Sequence, residues 1–473
     1  MSSTGSAVVI GASIGGLLAA RVLSDTYARV VVLDRDVLPE GAAARRGVPQ
    51  GRQLHVLLSR GKEALDELFP GLSAELNARG VPLVDLHDDV HWYNDGQRMR
   101  RAPSPLIALG MSRPLLEDAL RARVRALPGV EFRGPIEVLG LTATADGSRV
   151  TGVRLLPPGA GGADRAEETL TADLVVDASG RGSRTPIWLE EWGYPRPAEE
   201  QVRVDVTYVT RVYRREPHHL EGLSGALTNA VPGLPRAGIV AAQEDGCYAV
   251  ALSGMLGEEP PTDDEGMAAF ADSLSAPQVG EVVRTAVAQS PAVKMRFPVS
   301  TRRRYEQLRR FPAGYLVVAD ALCSFNPIYG QGMTVAALEA LLLRRLLGDT
   351  ATGAGAGAGA GAGDNDDLAR RFFRGAARVI DGPWSIAVGT DLRFPEVTGR
   401  RSPKVRFVNA YVHRLHVAAV ADPVLGAAFL RVLNLVDAPT RLLAPGIVLR
   451  VLRGSVGRRA TSAPDGTPAV RAG

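Results

Sequence analysis

The sequence predicts an α/β fold: a parallel sheet opened by a glycine turn, a separate antiparallel sheet, and a block of helices toward the C-terminus. Three observations predict it. A short apolar run, Ala7–Ile10, passes through Gly11-Ala12-Ser13-Ile14-Gly15-Gly16 into a helical pattern, then into a second run, Arg29–Leu33, ending at Asp34. That is the β-α-β order of a parallel sheet. From about residue 200 to 300 the pattern turns to alternation, as in Val202-Arg203-Val204-Asp205-Val206-Thr207-Tyr208, the mark of an antiparallel sheet with one covered face. From about 365 to 455 the pattern is largely helical.

The remaining elements follow in order. Residues 40 to 60 are polar and basic, with Arg45-Arg46-Gly47-Val48-Pro49-Gln50. Helical spacing occupies Ser59–Phe69 and Pro114–Leu127, and strands are expected at Val150–Leu156 and Ala172–Asp177. Tyr315–Asp320 reads as an apolar strand ending in an acid, followed by a glycine-rich turn and a helix over Thr334–Leu347. The Gly/Ala alternation of residues 351–364 reads as a flexible loop and 456–473 as a disordered tail. The expected organisation is a first domain over 1–199 with an excursion near 86–110, an antiparallel-sheet domain over 200–310, a return to the first domain over 311–350, and helices over 365–455.

Composition narrows the function classes. At 473 residues with 45% hydrophobic content, the chain can bury a substantial core. Its net charge of +4 and pI near 9.2 come almost wholly from arginine, since lysine occurs only at Lys62, Lys294 and Lys404. No stacking aromatics are interleaved with those arginines, so no nucleic-acid partner is expected. Cys247 and Cys323 lie far apart without a CxxC spacing, which speaks against a disulfide framework or a thiol centre. Ala7–Ile10 is too short for a signal peptide or a span, and no other stretch reaches spanning length without charges, so a cytoplasmic protein is expected.

Two motifs carry chemistry. In the first, Gly11 permits a tight strand-to-helix turn, the small Ser13 lets backbone approach a pyrophosphate, and Gly16 lets helix and strand pack closely. The phosphates then meet the helix N-terminus, with Asp34 accepting from the adenosine ribose. In the second, Leu316-Val317-Val318-Ala319 delivers Asp320, and Pro327, Gly330, Gln331, Gly332 and Met333 lead into a helix. Some three hundred residues apart, the two suit a long dinucleotide held at both ends.

The pairing points to a family. Ala172-Asp173-Leu174-Val175-Val176-Asp177-Ala178-Ser179-Gly180-Arg181-Gly182-Ser183-Arg184 resembles the internal fingerprint of FAD-dependent monooxygenases of the aromatic-hydroxylase fold, and Tyr315–Met333 resembles their ribityl-binding motif. Ser13 stands in place of a glycine of that pattern, as does Ala319 before the aspartate. Arg45–Gln50 with His55 following, and Pro383-Trp384-Ser385-Ile386 with Asp391, are similar to a narrower branch of squalene epoxidase-like and bacterial polyether epoxidase enzymes. The likeness runs from about residue 5 to 395. It implies a Rossmann-like FAD-binding domain, an antiparallel-sheet substrate domain and C-terminal helices. Gly11, Ser13, Ile14 and Gly16 would then meet the pyrophosphate, Asp34 the ribose, and Asp320 the ribityl chain. Arg35 and Arg46 would flank the adenosine or phosphates and Arg113 would touch the FAD. Pro327, Gly330, Gly332 and Met333 would lie beside the flavin ring, with Asn326 and Pro327 closest to the reacting oxygen.

The implied reaction is insertion of one oxygen atom from O2 through a flavin C4a-hydroperoxide. Its substrate would be an apolar polyketide- or terpenoid-like intermediate, epoxidised or hydroxylated. Electrons would come from NAD(P)H directly or through a separate flavin reductase. No general base stands out in the sequence, which leans toward an alkene. A reductase of the geranylgeranyl-reductase kind stays open on the same fold. A plain NAD(P) dehydrogenase or nucleotide-sensing module leaves residues 315–333 unexplained.

Three other features read more plainly. His87 and His91 have a metal-like i,i+4 spacing but lack the accompanying glutamate and a third ligand, so no metal is expected. Arg302-Arg303-Arg304 with Arg309-Arg310 reads as a solvated face before a strand. Arg441–Arg453, basic and amphipathic, reads as a packing helix over the substrate pocket, with at most peripheral membrane contact.

Overall fold

The computed structural model describes residues 5–157, 166–351 and 367–459. The Gly/Ala run from residue 352 and the tail from residue 460 lie outside them. The mixed α/β architecture is the expected one. Five parallel strands form the first sheet in the order Tyr315–Val317, Leu174–Asp177, Ser6–Ile10, Arg29–Leu33, Val130–Arg133. Val8, Val9, Val31, Val32, Val175 and Val176 are all buried, as continuous apolar strands covered on both faces require. The helix Ile14–Leu23 packs against the long helix Gly332–Ala351, so the two motif-bearing segments are neighbours in space.

The apolar run at 315 stops sooner than its composition suggests. Its strand covers Tyr315–Val317; Ala319 then takes φ +55 and a 3₁₀ turn spans Ala319–Ala321. Asp320 is therefore presented from a turn beyond the strand end.

An eight-stranded sheet runs Cys323–Ser324, Val293–Arg303, Glu199–Arg214, Cys247–Gly254, Arg236–Gln243, Gly225–Thr228, Val90–Asn94, Gln97–Arg98. The early strand Val90–Asn94 joins it in parallel with Gly225–Thr228, within an otherwise antiparallel arrangement. Its register aligns Trp92 with Leu227, Leu227 with Ile239, Ile239 with Ala251, and Ala251 with Thr210. These residues and their i±2 neighbours share one face.

The arginine run at 302–304 is not a solvated face. Arg302 is 2% exposed and its guanidinium lies 2.7 Å from Asp381 on the helix Leu368–Asp391. Arg303 pairs with Glu199, and Arg304 with Glu200 and Glu306. Alternation in a strand sends one arginine inward, and there it meets a partner 79 residues on that the local pattern cannot show.

The C-terminal helices start where the sequence supplies caps. Ser402 accepts from Val405 N ahead of Pro403–Ala419, and Asp422 from Val424 N ahead of Pro423–Leu433, each with proline at the first helical position. A last helix spans Pro445–Arg459. Among the described residues no helix is long and apolar enough to cross a membrane.

Candidate cofactor and substrate site

The glycine turn is sterically obligatory. Gly11 sits at φ +104, and a Cβ there would lie 2.6 Å from the Ala178 carbonyl oxygen; at Gly16 it would lie 1.7 Å from the Gly11 oxygen. The turn leaves the first amides of the helix Ile14–Leu23 facing a cavity, the arrangement that receives an anion. Gly11, Ser13 and Ile14 line that cavity, whereas Gly16 serves the packing behind it.

Around the turn lies a buried charge network. Ser13 Oγ donates to Glu117 at 2.6 Å and accepts from Arg113 at 2.8 Å, and Arg113 Nε donates to the same carboxylate at 3.0 Å. Burial pushes the Glu117 carboxyl up, but Arg113, Ser13 and Arg45 outweigh it and hold it below its ordinary value. Asp34 accepts from Ala12 N at 2.7 Å and Asp36 N at 2.9 Å, while Arg45 Nη1 reaches both its oxygens at 3.0 Å. Of the expected basic residues, Arg35 and Arg113 line the cavity; Arg46 does not, being exposed, and its neighbour Arg45 turns inward instead. Gly47 N donates to Asp36, which fixes the loop and decides which of the two adjacent arginines faces in.

Opposite in sequence but in the same cavity stands Asp320. Its carboxyl has no hydrogen-bond partner among the described residues, and burial raises its pKa against the pull of Arg113 and Arg181. Such an acceptor suits the hydroxyls of a polyol. Asp177, buried, accepts from Ser179 N, Ser179 Oγ, Ser183 Oγ and Thr185 Oγ1, and so shapes the loop that brings Arg181 and Arg184 to the cavity. These observations fit FAD: a glycine cradle that a Cβ would fill, helix amides, arginines, and a lone carboxylate for a ribityl chain.

Pro327, Gly330, Gly332 and Met333 also line the cavity. Asn326 lines it too, but its amide is already engaged: Nδ2 donates to Asp391 at 3.1 Å and Oδ1 accepts from Ile328 N at 3.3 Å. Asp391 accepts from Tyr329 as well, at 2.7 Å, and burial lifts its carboxyl to about 6. Asn326 thus caps and pins the Pro327–Tyr329 turn at the cavity wall. His55 lines the cavity with Nδ1 donating to the Gln53 carbonyl at 2.9 Å; burial and Arg113 lower its pKa to about 4, leaving it neutral. Glu117 escapes the sequence motifs because its partners Ser13 and Arg45 come from distant segments. The inward-facing charge of Glu117 is legible only as an acid four residues after Arg113 in an amphipathic helix.

The cavity measures about 1540 Å³, larger than the several hundred Å³ of a usual ligand pocket. Beyond the dinucleotide-gripping residues its walls are largely apolar, including Trp92, Leu227, Ile239, Phe429, Leu442 and Leu443. The last two come from the segment Pro439–Leu443, ahead of the final helix. Among the described residues no group of three metal-ligating side chains forms a metal site.

No family model matches the chain. Protein Rv3254 of Mycobacterium tuberculosis is 37% identical over 442 residues, covering 91% of this chain and 90% of that protein. Kynurenine 3-monooxygenase of Salinispora tropica is 28% identical over 375 residues, 72% of each. Among solved structures, the flavin-dependent brominase Bmp2 has a TM-score of 0.65 at 14% identity, covering 97% of this chain and 100% of that one. PqsL of Pseudomonas aeruginosa, a probable FAD-dependent monooxygenase, has a TM-score of 0.59 at 18% identity, covering 82% and 97%. The fold is therefore that of the FAD-dependent monooxygenases, and the chain belongs to the family of Protein Rv3254.

Proposed function

We propose that the protein is an FAD-dependent monooxygenase that inserts one oxygen atom from O2 into an apolar polyketide- or terpenoid-like intermediate, by epoxidation or hydroxylation. The observation that carries this reading is that one cavity is lined both by the two dinucleotide-gripping motifs and by a large apolar wall. The 28% identity to a kynurenine 3-monooxygenase supports the same reaction type. FAD supplies the activation of O2. The chain supplies the rest: helix amides, Ser13 and Arg113 meet the pyrophosphate, Arg35 and Asp34 the adenosine, and Asp320 the ribityl hydroxyls. Pro327, on the turn pinned by Asn326 and Asp391, stands closest to the reacting atoms. The apolar walls keep water from the site, which protects oxygen transfer against loss as hydrogen peroxide. Electrons come from NAD(P)H, directly or through a separate flavin reductase.

The test is the visible spectrum of the purified protein, followed by turnover of polyene and phenol candidates under ¹⁸O2 with NAD(P)H and a flavin reductase. The expected result is an oxidised-flavin spectrum and a product carrying one ¹⁸O atom. A colourless protein that FAD does not reconstitute overturns the cofactor. Product formed equally without O2 replaces the monooxygenase with a reductase.

A further inference from the structure

We propose that Asn94, Asp95 and His416 form a polar subsite in the cavity wall that takes an ionisable hydroxyl of the substrate, a phenol or enol, with His416 accepting its proton. The proposal rests on reading the cavity as the monooxygenase's substrate site.

Asn94 ends the strand Val90–Asn94 on the same face as Trp92 and Val90, and all three line the cavity. Its Oδ1 accepts from Asn229 Nδ2 at 3.2 Å; its Nδ2 is buried without a partner in a residue 2% exposed. Asp95 follows at φ +51, in the tight turn before Gln97–Arg98, and this left-handed step swings its carboxylate toward the C-terminal helices. Its Oδ2 accepts from Nδ1 of both His413 and His416 at 2.9 Å, and its Oδ1 accepts from Arg393. Burial works against the charge, but His416 and Arg393 outweigh it and hold Asp95 well below the carboxylate range.

That carboxylate fixes the tautomer of His416. Nδ1 carries the proton, so Nε2 carries the lone pair, and Nε2 has no partner in a ring 8% exposed. The titratable and charged groups facing the ring are Asp95, Arg393 and His413; burial, against the pull of Asp95, keeps the imidazole below its ordinary pKa. Native interiors rarely leave a buried donor and a buried acceptor unpaired, and here both belong to residues lining one cavity. Phe429 meets the His416 ring in a T-shaped contact, ring centroids 4.7 Å apart, and also lines the cavity.

The step balances within the site. The substrate O–H bond breaks, its proton passes to His416 Nε2, and the electron pair stays on oxygen. The imidazolium is neutralised by Asp95, and Asn94 Nδ2 donates to the oxyanion. A ring or alkene carbon next to that oxyanion is more nucleophilic, which favours attack on an electrophilic oxygen. The general base that sequence patterns do not reveal is thus assembled from residues 321 positions apart.

The test uses the oxidised holoprotein with two probes, 4-nitrophenol and its methyl ether 4-nitroanisole, and needs no turnover. Nitrophenol reports its own ionisation by colour. The expected result is binding of nitrophenol at least tenfold tighter than of nitroanisole, with its ionisation midpoint lowered by at least one pH unit on binding. His416→Gln is expected to abolish both differences with flavin content unchanged, while His413→Gln preserves them. Equal affinity for the two probes, no binding of nitrophenol, or an unshifted midpoint in the unmutated protein overturns the proposal, whatever the variants do. A shifted midpoint in a protein that gives no ¹⁸O-labelled product leaves the subsite standing and removes the monooxygenase reading.

Discussion

Asp320 and Glu339 show how differently two carboxyls serve one turn. Asp320 faces the cavity unpartnered, so removing it costs the fold little and the cofactor much. Asp320→Ala is expected to weaken FAD binding about 10- to 100-fold, since a hydrogen bond to a charged acceptor is worth roughly 1.5–3 kcal/mol. FAD titration followed by flavin fluorescence checks this, and an unchanged affinity would remove Asp320 from the cofactor site. Glu339 instead faces inward: Oε2 accepts from Ala319 N at 2.7 Å, where the backbone holds φ +55, and Oε1 has no partner. Burial, aided by Asp320, raises its carboxyl to about 8. A raised folded-state pKa makes its contribution full below the unfolded value and lost as pH climbs through about 8. Thermal melts are expected to show stability falling between about pH 5 and pH 8.5, by a few kcal/mol at most at about 1.4 kcal/mol per pK unit. Glu339→Gln, which keeps an acceptor for Ala319 N, is expected to flatten that fall; an identical slope in the variant refutes the assignment. The glycine turn and Asp320 were legible in sequence because adjacent residues set their geometry. Arg45 was not, because a carboxylate nine residues away chooses it over Arg46.

At the scale of elements, the strand Val293–Arg303 and the helix Leu368–Asp391 are joined by an asymmetric ion pair. Arg302 is 2% exposed and Asp381 61% exposed. Removing either partner breaks the same bond, but the consequences differ. An orphaned Asp381 is solvated at once. Among the described residues, an orphaned Arg302 keeps only Glu306 at 3.7 Å and a long bond to the Ala377 carbonyl. Asp381→Ala is therefore expected to destabilise more than Arg302→Met, by roughly 1–3 kcal/mol, because an uncompensated buried charge is the larger penalty. Denaturant unfolding of the two variants decides it, and the reverse order would mean that Arg302 acts chiefly through packing. The elements were readable where periodicity is local, as in Arg29–Leu33, whose bounds the structure reproduces. They were misread where a partner lies outside the window: the arginine run needs Asp381, and the strand at 315 ends early because Ala319 adopts a left-handed turn.

For the whole molecule, the two sheets and the C-terminal helices matter as walls of a single cavity, and its polar spots arise only when all three meet. Neither Asp95 nor His416 signals anything in its own segment; a hairpin turn and a helix must fold together before the pair exists. The central strands of the eight-stranded sheet give a cleaner handle on that wall. Ala251 faces the cavity beside Thr210 and Ile239, while the glycine turn, Arg113 and Asp320 stand on other elements. Ala251→Phe adds a ring to that wall of the chamber and leaves those groups unmutated. The expected outcome is unchanged flavin content, product formation from a bulky substrate lowered at least ~10-fold, and more hydrogen peroxide per NAD(P)H consumed, because a misplaced substrate forfeits the orientation that transfer needs. Measuring bound flavin, product and peroxide on one preparation separates the cases. Loss of flavin would put the dinucleotide against this sheet, and unaltered product with unaltered peroxide would put the substrate elsewhere in the cavity.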